Sequence, residues 1–341
     1  MTGICAKPYI PIRITLSVTA LLAVVALSGC GGSTSTSTSS PGGAAAPVPA
    51  AAAGGGSGAV SAAGPSSSGA VSSGAASSGA AGGIDQAAAA LVPANVKQAG
   101  QLKVATGSGY PPFEFYGADN KTLNGVDPEI MQAVGATLGL QVAFSDLKFD
   151  AVIPGLQSKR YDVAAIAMSI TPVRNKAVDF VSYFKGGTTL IVKAGNPSKL
   201  TLDTLCGHKL AVQKGTVYAD DYVPEFNKAC TDAGNKEISV DVYPDQPQAT
   251  LALSSGRAEA SMSDYGPLAY VAQQAKGQFE VLQENYKPSL YGLALPKGSP
   301  LAPAIQAGLK KIVADGSYAK ILAKWQVQAG AISDPTISTQ S

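Results

Sequence analysis

One short segment of this chain joins a predicted strand to a predicted helix, and it reads Ala167-Met168-Ser169-Ile170-Thr171-Pro172-Val173-Arg174. The strand is an apolar run over 161–167. The helix is indicated by Thr171, a residue type that caps helix N-termini, and by Pro172, which is favoured at the first helical position. Backbone N–H groups at a helix start favour an anion, and an arginine there can bind a carboxylate through two parallel hydrogen bonds. The segment therefore predicts a carboxylate site at Ser169 and Arg174, and the alternative is an exposed arginine on a helix start.

Strand-like and helix-like segments alternate on both sides of this turn. Predicted strands cover 101–106, 141–144, 161–167, 188–193, 209–212, 258–262 and 291–295. Predicted helices begin at Asp127 and near Ala151, and others cover 248–253, 305–313 and 318–325. In the first helix, Asp127 is the predicted N-cap, Pro128 takes the first helical position and Gly139 ends the helix. This alternation is typical of an α/β fold with a largely parallel sheet.

The N-terminus has the composition of an export signal. Lys7 and Arg13 precede an apolar run over 14–27, which is short for a membrane span and typical of a secretory signal peptide. The run ends in Leu27-Ser28-Gly29-Cys30, which resembles the lipobox of bacterial lipoproteins, where the cysteine is acylated and becomes the first residue. We therefore expect a lipoprotein signal peptide over 1–30 and a lipid on Cys30 that anchors the protein to the extracytoplasmic side of the cell membrane. An ordinary signal peptide that happens to contain Cys30 is the alternative.

A low-complexity segment follows the signal peptide. Residues 31–84 carry no charge and consist almost entirely of Gly, Ala, Ser, Thr and Pro. Such a segment buries too little apolar surface to offset the entropy of ordering, so 31–92 is predicted to be a disordered linker. About 250 residues then remain for the fold, enough for one large or two small domains. Without Lys7 and Arg13 the chain has 23 basic and 23 acidic residues, so it lacks the excess positive charge typical of nucleic-acid binding.

Two of the four cysteines remain in the exported domain. Cys5 leaves with the signal peptide and Cys30 takes the lipid, so Cys206 and Cys230 form an even pair. In an oxidising compartment such a pair predicts a disulfide. A metal site would need further ligands, and the single histidine, His208, is interpreted as a surface or turn residue. We therefore expect no bound metal, and a nucleophilic thiol is the other alternative.

Five segments in a fixed order resemble the extracellular solute-binding proteins of ABC importers, specifically the branch that binds polar amino acids (family 3). The resemblance extends from about residue 93 to residue 330. Each segment alone is weak evidence, but five in family order are a specific match. The segments are Tyr110-Pro111-Pro112-Phe113-Glu114-Phe115, Phe149-Asp150-Ala151-Val152-Ile153-Pro154-Gly155-Leu156-Gln157, Met168-Ser169-Ile170-Thr171-Pro172-Val173-Arg174, Ser255-Gly256-Arg257-Ala258-Glu259-Ala260 and Asp315-Gly316-Ser317-Tyr318.

The resemblance implies a two-lobed periplasmic-binding-protein-like fold (type II) with the ligand in the cleft between the lobes. Lobe one would comprise 93–190 and 291–330, lobe two 191–290, and 331–341 would be a tail. Two hinge crossings would lie near 189–194 and 287–292. Open α/β sheets also place ligands at strand ends on general grounds. The implied function is a monomeric, non-catalytic protein without a cofactor, which captures a free amino acid and delivers it to the membrane-embedded permease of an ABC importer.

The resemblance also assigns a site for the α-carboxylate of the ligand. Arg174 and the backbone N–H of Ser169 would hold the carboxylate from lobe one. The turn that contains Thr216 and Val217 would add donors from lobe two. For Thr216, a helix N-cap is the alternative, and both roles are compatible.

The α-ammonium would be held by the carbonyl of Ala167 and the side chain of Asp264, and Met168 next to Ala167 is also expected to be a ligand-binding residue. Both ligand charges need partners because an unpaired buried charge is very costly. Tyr110 and Phe149 would form aromatic walls around the ligand side chain. The alternatives are core packing for the two aromatic residues and a helix N-cap for Asp264.

Gly107 departs from the pattern of one group of relatives. Members that bind basic amino acids carry an aspartate at this position. Without that carboxylate a cationic ligand side chain would lack a counter-charge, so arginine, lysine and histidine are expected to be poor ligands.

Two other functions stay open at this point. Cyclohexadienyl dehydratases resemble this family, and sensory ligand-binding domains share its fold. The chain offers no second histidine, no free reactive thiol and no evident acid–base pair beside Asp264, so a binding protein is preferred to an enzyme. No membrane-spanning or signalling segment is evident after residue 330, so a sensory role would need a separate partner protein.

Overall fold

The computed structural model describes residues 83–283 and 285–339. The predicted signal peptide, the lipid site at Cys30 and the predicted linker up to residue 82 lie outside these ranges. Within the described part, no helix is both long enough and apolar enough to cross a bilayer. The same residues hold no group of three or more His, Cys, Asp or Glu side chains placed to bind a metal ion.

Helices and strands alternate along most of the described chain. The α-helices are α1 (Gln86–Ala90), α2 (Ala94–Ala99), α3 (Val126–Leu138), α4 (Val152–Gln157), α5 (Pro172–Ala177), α6 (Val223–Asp232), α7 (Gln246–Ser254), α8 (Tyr265–Gln274), α9 (Ala302–Ala314) and α10 (Ser317–Lys324). A π-helical turn over Tyr218–Tyr222 leads into α6. The predicted start of α5 is confirmed, because the Thr171 side chain accepts a hydrogen bond from the backbone N–H of Arg174 and Pro172 is the first helical residue.

Thirteen strands accompany these helices in the described residues. They are β1 (Gln101–Thr106), β2 (Gly109–Tyr110), β3 (Glu114–Tyr116), β4 (Leu123–Asn124), β5 (Gln141–Asp146), β6 (Val163–Ala164), β7 (Val178–Lys193), β8 (Lys209–Gln213), β9 (Ser239–Tyr243), β10 (Ala260–Asp264), β11 (Phe279–Val281), β12 (Tyr286–Pro296) and β13 (Ile337–Ser338). Strand β6 is shorter than the predicted 161–167, because the chain leaves the sheet after Ala164 to form the turn that leads to α5.

The main sheet has the strand order β5-β1-β6-β12-β7-β10-β8-β9. At one end, β1 pairs in parallel with β5 and β6, and at the other end β8 pairs in parallel with β9 and β10. Between them, the long strands β7 and β12 pair antiparallel, from Val178 opposite Pro296 to Thr188 opposite Tyr286. The predicted α/β class is confirmed, and the two mainly parallel halves are joined through one antiparallel pair of strands.

Each half of the sheet has its own hydrophobic core. Buried residues such as Leu102, Ile130 and Leu309 form the core of lobe one, and a separate buried cluster that includes Leu190 and Met262 forms the core of lobe two. Strands β7 and β12 pass from one core to the other, as the two predicted crossings require. The first crossing lies a few residues before the predicted 189–194, because residues 188–192 already pair with β10 of lobe two.

The boundary of the predicted linker is wrong at its C-terminal end. The prediction places 86–92 in the disordered linker, but α1 packs on lobe one. Ala88 and Val92 are buried in its core, and the side chain of Asp85 accepts a hydrogen bond from the N–H of Ala88 at 3.0 Å. The alanine-rich composition of α1 resembles that of the linker, so the sequence does not distinguish the two. The helix is buried by its contacts with α3 and α9, which are distant in sequence.

The predicted tail also belongs to lobe one. Strand β13 pairs antiparallel with β7, with Ile337 opposite Val181. The backbone N–H of Ser182 donates to the carbonyl of Thr336 at 2.9 Å, and the Asn175 side chain donates to Ser338 at 2.6 Å. These bonds occupy the edge of β7 in lobe one that would otherwise be unpaired.

The predicted N-cap role of Asp127 is wrong. Helix α3 begins at Val126 after Gly125, and no side chain caps it. The N–H groups of Val126 and Asp127 instead donate to the carbonyls of Pro112 and Phe113 at 3.0 Å. Gly125 has a φ of 125°, and a Cβ there would lie 2.1 Å from the Phe113 carbonyl oxygen, so only glycine fits. The Asp127 carboxylate therefore does not cap the helix and is buried inside the protein. The predicted helix end at Gly139 is confirmed.

The predicted disulfide is confirmed. Cys206 and Cys230 are bonded, and their Cα atoms lie 5.6 Å apart. Cys230 is on α6, and the bond lies within lobe two. Nδ1 of His208, two residues after Cys206, lies 2.7 Å from a carboxylate oxygen of Glu259, and the partly exposed ring is consistent with its interpretation as a surface residue.

Candidate functional site

A cavity of about 400 Å³ lies between the two lobes. Its walls come from both lobes, and most of the residues singled out in the sequence line it. From lobe one these are Gly107, Tyr110, Phe149, Ala167, Ser169 and Arg174, and from lobe two Thr216, Val217 and Asp264. Met168 is the exception, because its side chain is buried in a cluster of lobe one that includes Phe180 and Ile166.

Arg174 lies on the first turn of α5, as the sequence predicts. Its guanidinium donates to the carbonyl of Ser169 at 2.9 Å and, across the cleft, to the carbonyl of Gly215 at 3.1 Å. The guanidinium carbon lies 5.3 Å from the centre of the Phe149 ring, so this ring also makes a cation–π contact. A guanidinium has five N–H donors, and donors therefore remain for a ligand. Burial lowers the pKa of Arg174, but the group stays charged at neutral pH.

Asp264 ends strand β10 on the lobe-two side of the cavity. Its side chain is buried and accepts a hydrogen bond from the Tyr110 hydroxyl at 2.9 Å. The same hydroxyl lies 2.8 Å from Ser263 Oγ and 3.2 Å from the hydroxyl of Tyr218. Burial raises the pKa of Asp264, whereas hydrogen bonds from Tyr291, Tyr218 and Tyr110 act in the opposite direction. Asp264 precedes α8, but its side chain makes no capping bond, so the alternative role is not observed.

The turn after β6 holds its backbone in an unusual conformation. Ala167 has a φ of 42°, which costs a residue with a Cβ about 1–3 kcal/mol. Its N–H donates to the buried Asp127 carboxylate at 2.7 Å, which fixes this conformation. The Met168 carbonyl accepts from the N–H of Gly292 at 2.9 Å. Two hydrogen bonds therefore fix this loop, one to Asp127 and one from Gly292. The strained residue is Ala167, whose carbonyl is predicted to bind the ligand ammonium.

On lobe two, Thr216 follows β8 and precedes the π-helical turn. Its hydroxyl donates to the Gln213 carbonyl at 2.6 Å and accepts weakly from the N–H of Ala219 at 3.4 Å. Thr216 therefore has the capping geometry named as its alternative role, and it also lines the cavity. Val217 next to it is buried at the same helix start.

Two ion pairs connect the lobes near the cavity. Lys148 of lobe one pairs with Asp245 of lobe two at 2.7 Å, and Lys214 of lobe two pairs with Asp150 of lobe one at 2.8 Å. The lysines are largely exposed, so each pair contributes little to stability. Together with the bonds made by Tyr110 and Arg174 across the cleft, they show that the structure has the lobes in contact.

A carboxyl group that the prediction about Gly107 did not consider lies at this end of the cleft. Glu114, on β3 opposite Tyr110 of β2, lines the cavity. Its Cγ would lie 3.7 Å from a Cβ placed on Gly107. Gly107 and the Glu114 side chain are therefore neighbours at ordinary contact distance. The expectation that basic amino acids are poor ligands stays a prediction, since a carboxyl group other than the missing aspartate lies near Gly107.

Sequence reasoning missed Tyr218, Tyr291, Glu114 and Asp127 as parts of the site. Glu114 lies within the quoted Pro-Pro-Phe-Glu-Phe segment. The available signal was an acidic residue between two aromatic residues, a context in which a charged side chain is unusual. Tyr218 follows the Thr216–Val217 turn directly. Tyr291 and Asp127 gave no local signal, because their roles arise from residues far away in sequence.

The family match and the named relatives point to the same group of proteins. Residues 102–328 match the family described as bacterial extracellular solute-binding proteins, family 3. The chain is 28% identical over 251 residues to the arginine-binding protein ArgT of Corynebacterium glutamicum, covering 74% of this chain and 82% of the relative. It is 30% identical over 233 residues to the L-cystine-binding protein TcyJ of Escherichia coli, covering 67% and 84%.

A solved structure supports the same grouping. An ancestral arginine-binding protein bound to arginine is similar with a TM-score of 0.60 and 36% sequence identity. The similarity covers 66% of this chain and 98% of the ancestral protein.

Proposed function

Because the chain belongs to family 3 of the bacterial extracellular solute-binding proteins, we propose that it captures a free α-amino acid between its lobes and delivers it to an ABC importer. The observation that carries this proposal is the arrangement of opposite charges in one cavity. Arg174 and Asp264 both line it. Among the described residues, no ion pair within 4.0 Å joins either side chain to another charged group.

Two opposite charges that line one cavity without ion-pair partners suit a zwitterionic ligand. A carboxylate can accept from the remaining N–H groups of Arg174, and an ammonium can donate to Asp264. The proposed roles follow: Arg174, Ser169, Thr216 and Val217 bind the α-carboxylate, and Ala167 and Asp264 bind the α-ammonium. Tyr110 and Phe149 enclose the ligand, and each also contacts one of the two charged side chains. No role in direct binding is proposed for the Met168 side chain.

A thermal-shift screen of the twenty amino acids tests this function. We expect at least one of them to raise the melting temperature, because a ligand that binds only the folded state stabilises it by mass action. Its N-acetyl derivative, which lacks the ammonium, and its carboxamide, which lacks the carboxylate, should have no such effect. Mass spectrometry should recover the amino acid unchanged, as a non-catalytic receptor requires. If no amino acid raised the melting temperature, the proposal would be rejected.

We further propose that the protein is a monomer anchored outside the cytoplasm by a lipid on Cys30. The lipobox-like sequence, the uncharged residues 31–82 and the disulfide of lobe two support an exported, tethered domain. The importer partner is proposed from the family, whose members serve ABC transporters.

Replacing Cys30 with alanine should move the protein from the membrane fraction to the soluble fraction of the host cells. The amino-acid affinity of the purified protein should be unchanged, because Cys30 lies far outside residues 102–328. Cys5→Ala is the matched control and should leave the protein with the membranes, since Cys5 is removed with the signal peptide. Persistence of the Cys30→Ala protein in the membrane fraction would show that another element anchors it.

A further inference from the structure

A second cavity, of about 1040 Å³, lies beside the two strands that cross between the lobes, and we call it the hinge cavity. Its volume is close to the upper limit of the roughly 300–1,000 Å³ typical of small-molecule sites. Among the described residues, none lines both this cavity and the proposed amino-acid site. Aromatic rings from lobe one, lobe two and the crossing strands form its walls, and they belong to Phe113, Trp325, Tyr265, Tyr270, Phe184 and Tyr291.

The charged and polar groups of the hinge cavity favour an anion. Lys185 and Lys324 line it, and no described aspartate or glutamate does. Lys324 is paired with Glu129 at 2.6 Å. Lys185 is exposed and forms no ion pair within 4.0 Å with any described residue. Aromatic walls with one available cation suit a ligand that has an aromatic body and a single acidic group.

The hinge cavity is connected to the proposed amino-acid site through Tyr291. The ring of this residue lies 5.8 Å from the ring of Phe113 and 5.5 Å from that of Phe184, and all three line the hinge cavity. Its hydroxyl forms a hydrogen bond with Asp264, which lines the amino-acid site. The residue after Asp264, Tyr265, also lines the hinge cavity. One short set of contacts therefore belongs to both sites.

The two walls of the hinge cavity belong to different lobes, so their separation depends on the lobe arrangement. In this structure the lobes are in contact, and the ring of Phe115 in lobe one lies 5.9 Å from the ring of Tyr270 in lobe two. A molecule that contacts both walls in this arrangement binds it better than an arrangement with the lobes apart. Such differential affinity shifts the equilibrium towards lobe contact.

We propose that the hinge cavity binds a small aromatic anion, with its ring among the aromatic side chains and its acidic group at Lys185. Its binding strengthens amino-acid binding, because both molecules favour the arrangement with the lobes in contact. The occupation of the cavity does not depend on the proposed function. The coupling rests on that function.

Fluorescence titration with anilinonaphthalene sulfonate, an aromatic anion, tests the site. We expect saturable binding of one molecule per protein. Ala269→Trp should abolish this binding, because Ala269 of α8 lines the cavity and an indole ring would fill it. Ala314→Trp is the matched control, since Ala314 is an exposed residue of α9 that does not line the cavity, and it should bind as wild type. Binding that Ala269→Trp leaves unchanged would overturn the site, as would the absence of binding.

A second variant tests the role of the charge and stays informative if Ala269→Trp fails to fold. Lys185→Gln should raise the dissociation constant of anilinonaphthalene sulfonate by up to about fivefold, as expected for an exposed charge pair. The dissociation constant of N-phenylnaphthylamine, which has the same rings and no sulfonate, should not change. Lys103→Gln removes an exposed lysine of β1 outside the cavity and is the control. Equal effects of Lys185→Gln on both probes would overturn the anion assignment.

Repeating the titration with a saturating amount of the best amino acid from the screen tests the coupling. Anilinonaphthalene sulfonate should bind more tightly, and it should increase the affinity for the amino acid by the same factor. Equal affinity with and without the amino acid would overturn the coupling. Displacement of the probe by the amino acid would place the probe in the amino-acid site and overturn the inference. If no amino acid binds, the proposed function is rejected, while the titrations of the protein alone still decide whether the hinge cavity is a site.

Discussion

Replacing Arg174 with alanine is expected to weaken binding of the best amino-acid ligand by about 2–5 kcal/mol, which is roughly 30- to several-thousand-fold in the dissociation constant. The variant leaves a ligand carboxylate in the cavity without its cationic partner. It also removes the hydrogen bond from Arg174 to Gly215 across the cleft, so lobe closure is weakened in the same step.

The measurement is titration calorimetry of the wild type and two variants. Arg174→Lys keeps the charge but loses the planar pair of donors, so an intermediate affinity is expected. Arg160→Ala removes an exposed arginine that stacks on Tyr161 away from the cavity, and it should bind as wild type.

A second ligand tests the reason for the loss. The carboxamide of the same amino acid lacks the carboxylate, so it should bind weakly to the wild type and no more weakly to Arg174→Ala. Near-native affinity of Arg174→Ala for the unmodified amino acid, with an intact circular dichroism spectrum, would show that the carboxylate binds elsewhere.

Asp264→Asn is expected to have a comparable effect through the other charge of the ligand. Asparagine has the same shape and can still accept from the Tyr110 hydroxyl, so folding should change little. The ligand ammonium, however, would be buried beside a neutral group, and the loss of a buried charge partner costs about 2–5 kcal/mol of binding. Because both contacts involve the part that all amino acids share, the loss should be similar for every amino acid that binds.

The pH dependence distinguishes the loss of this charge from a change of shape. Burial raises the pKa of Asp264 in the ligand-free protein, so its carboxylate is protonated at a higher pH than an exposed aspartate. A cationic ammonium binds only the ionised form, and wild-type affinity should therefore fall as pH decreases through that pKa. Asp264→Asn should bind weakly and without this pH dependence.

Glutamine is a suitable ligand for this measurement, because its side chain is neutral and does not titrate in this pH range. The exposed Asp241→Asn variant is the control and should follow the wild-type profile. An unchanged affinity or an unchanged pH profile in Asp264→Asn would place the ammonium elsewhere.

Features that depend on neighbouring residues were predictable from the sequence. Thr171 and Pro172 cap and begin α5 as expected, and Gly139 ends α3, because capping is decided by residues within one turn. The disulfide followed from the even pair of cysteines in an exported domain. The alternation of strands and helices was sufficient for the fold class.

Features that depend on distant residues were not predictable in the same way. Asp127 has the sequence signature of an N-cap, but the Pro112 and Phe113 carbonyls satisfy the helix start, and Tyr183 and Ala167 bind its carboxylate. Glu114 lines the cavity because the pairing of β3 with β2 places it opposite Tyr110. The packing of α1 and β13 on lobe one likewise requires partners from other parts of the chain.

The division of the chain between the two lobes determines the order in which the lobes can fold. Lobe two is one continuous stretch between the two crossings, whereas lobe one needs α1 to β6 as well as β12, α9, α10 and β13. During synthesis the chain is made from its N-terminus. All of lobe two up to β11, including both disulfide cysteines, is therefore complete before β12 can insert between β6 and β7 of lobe one. Lobe two can complete its core and oxidise first. A chain released before β12 would retain Asp264 within a folded half, but it would lack the completed partner lobe that carries Arg174.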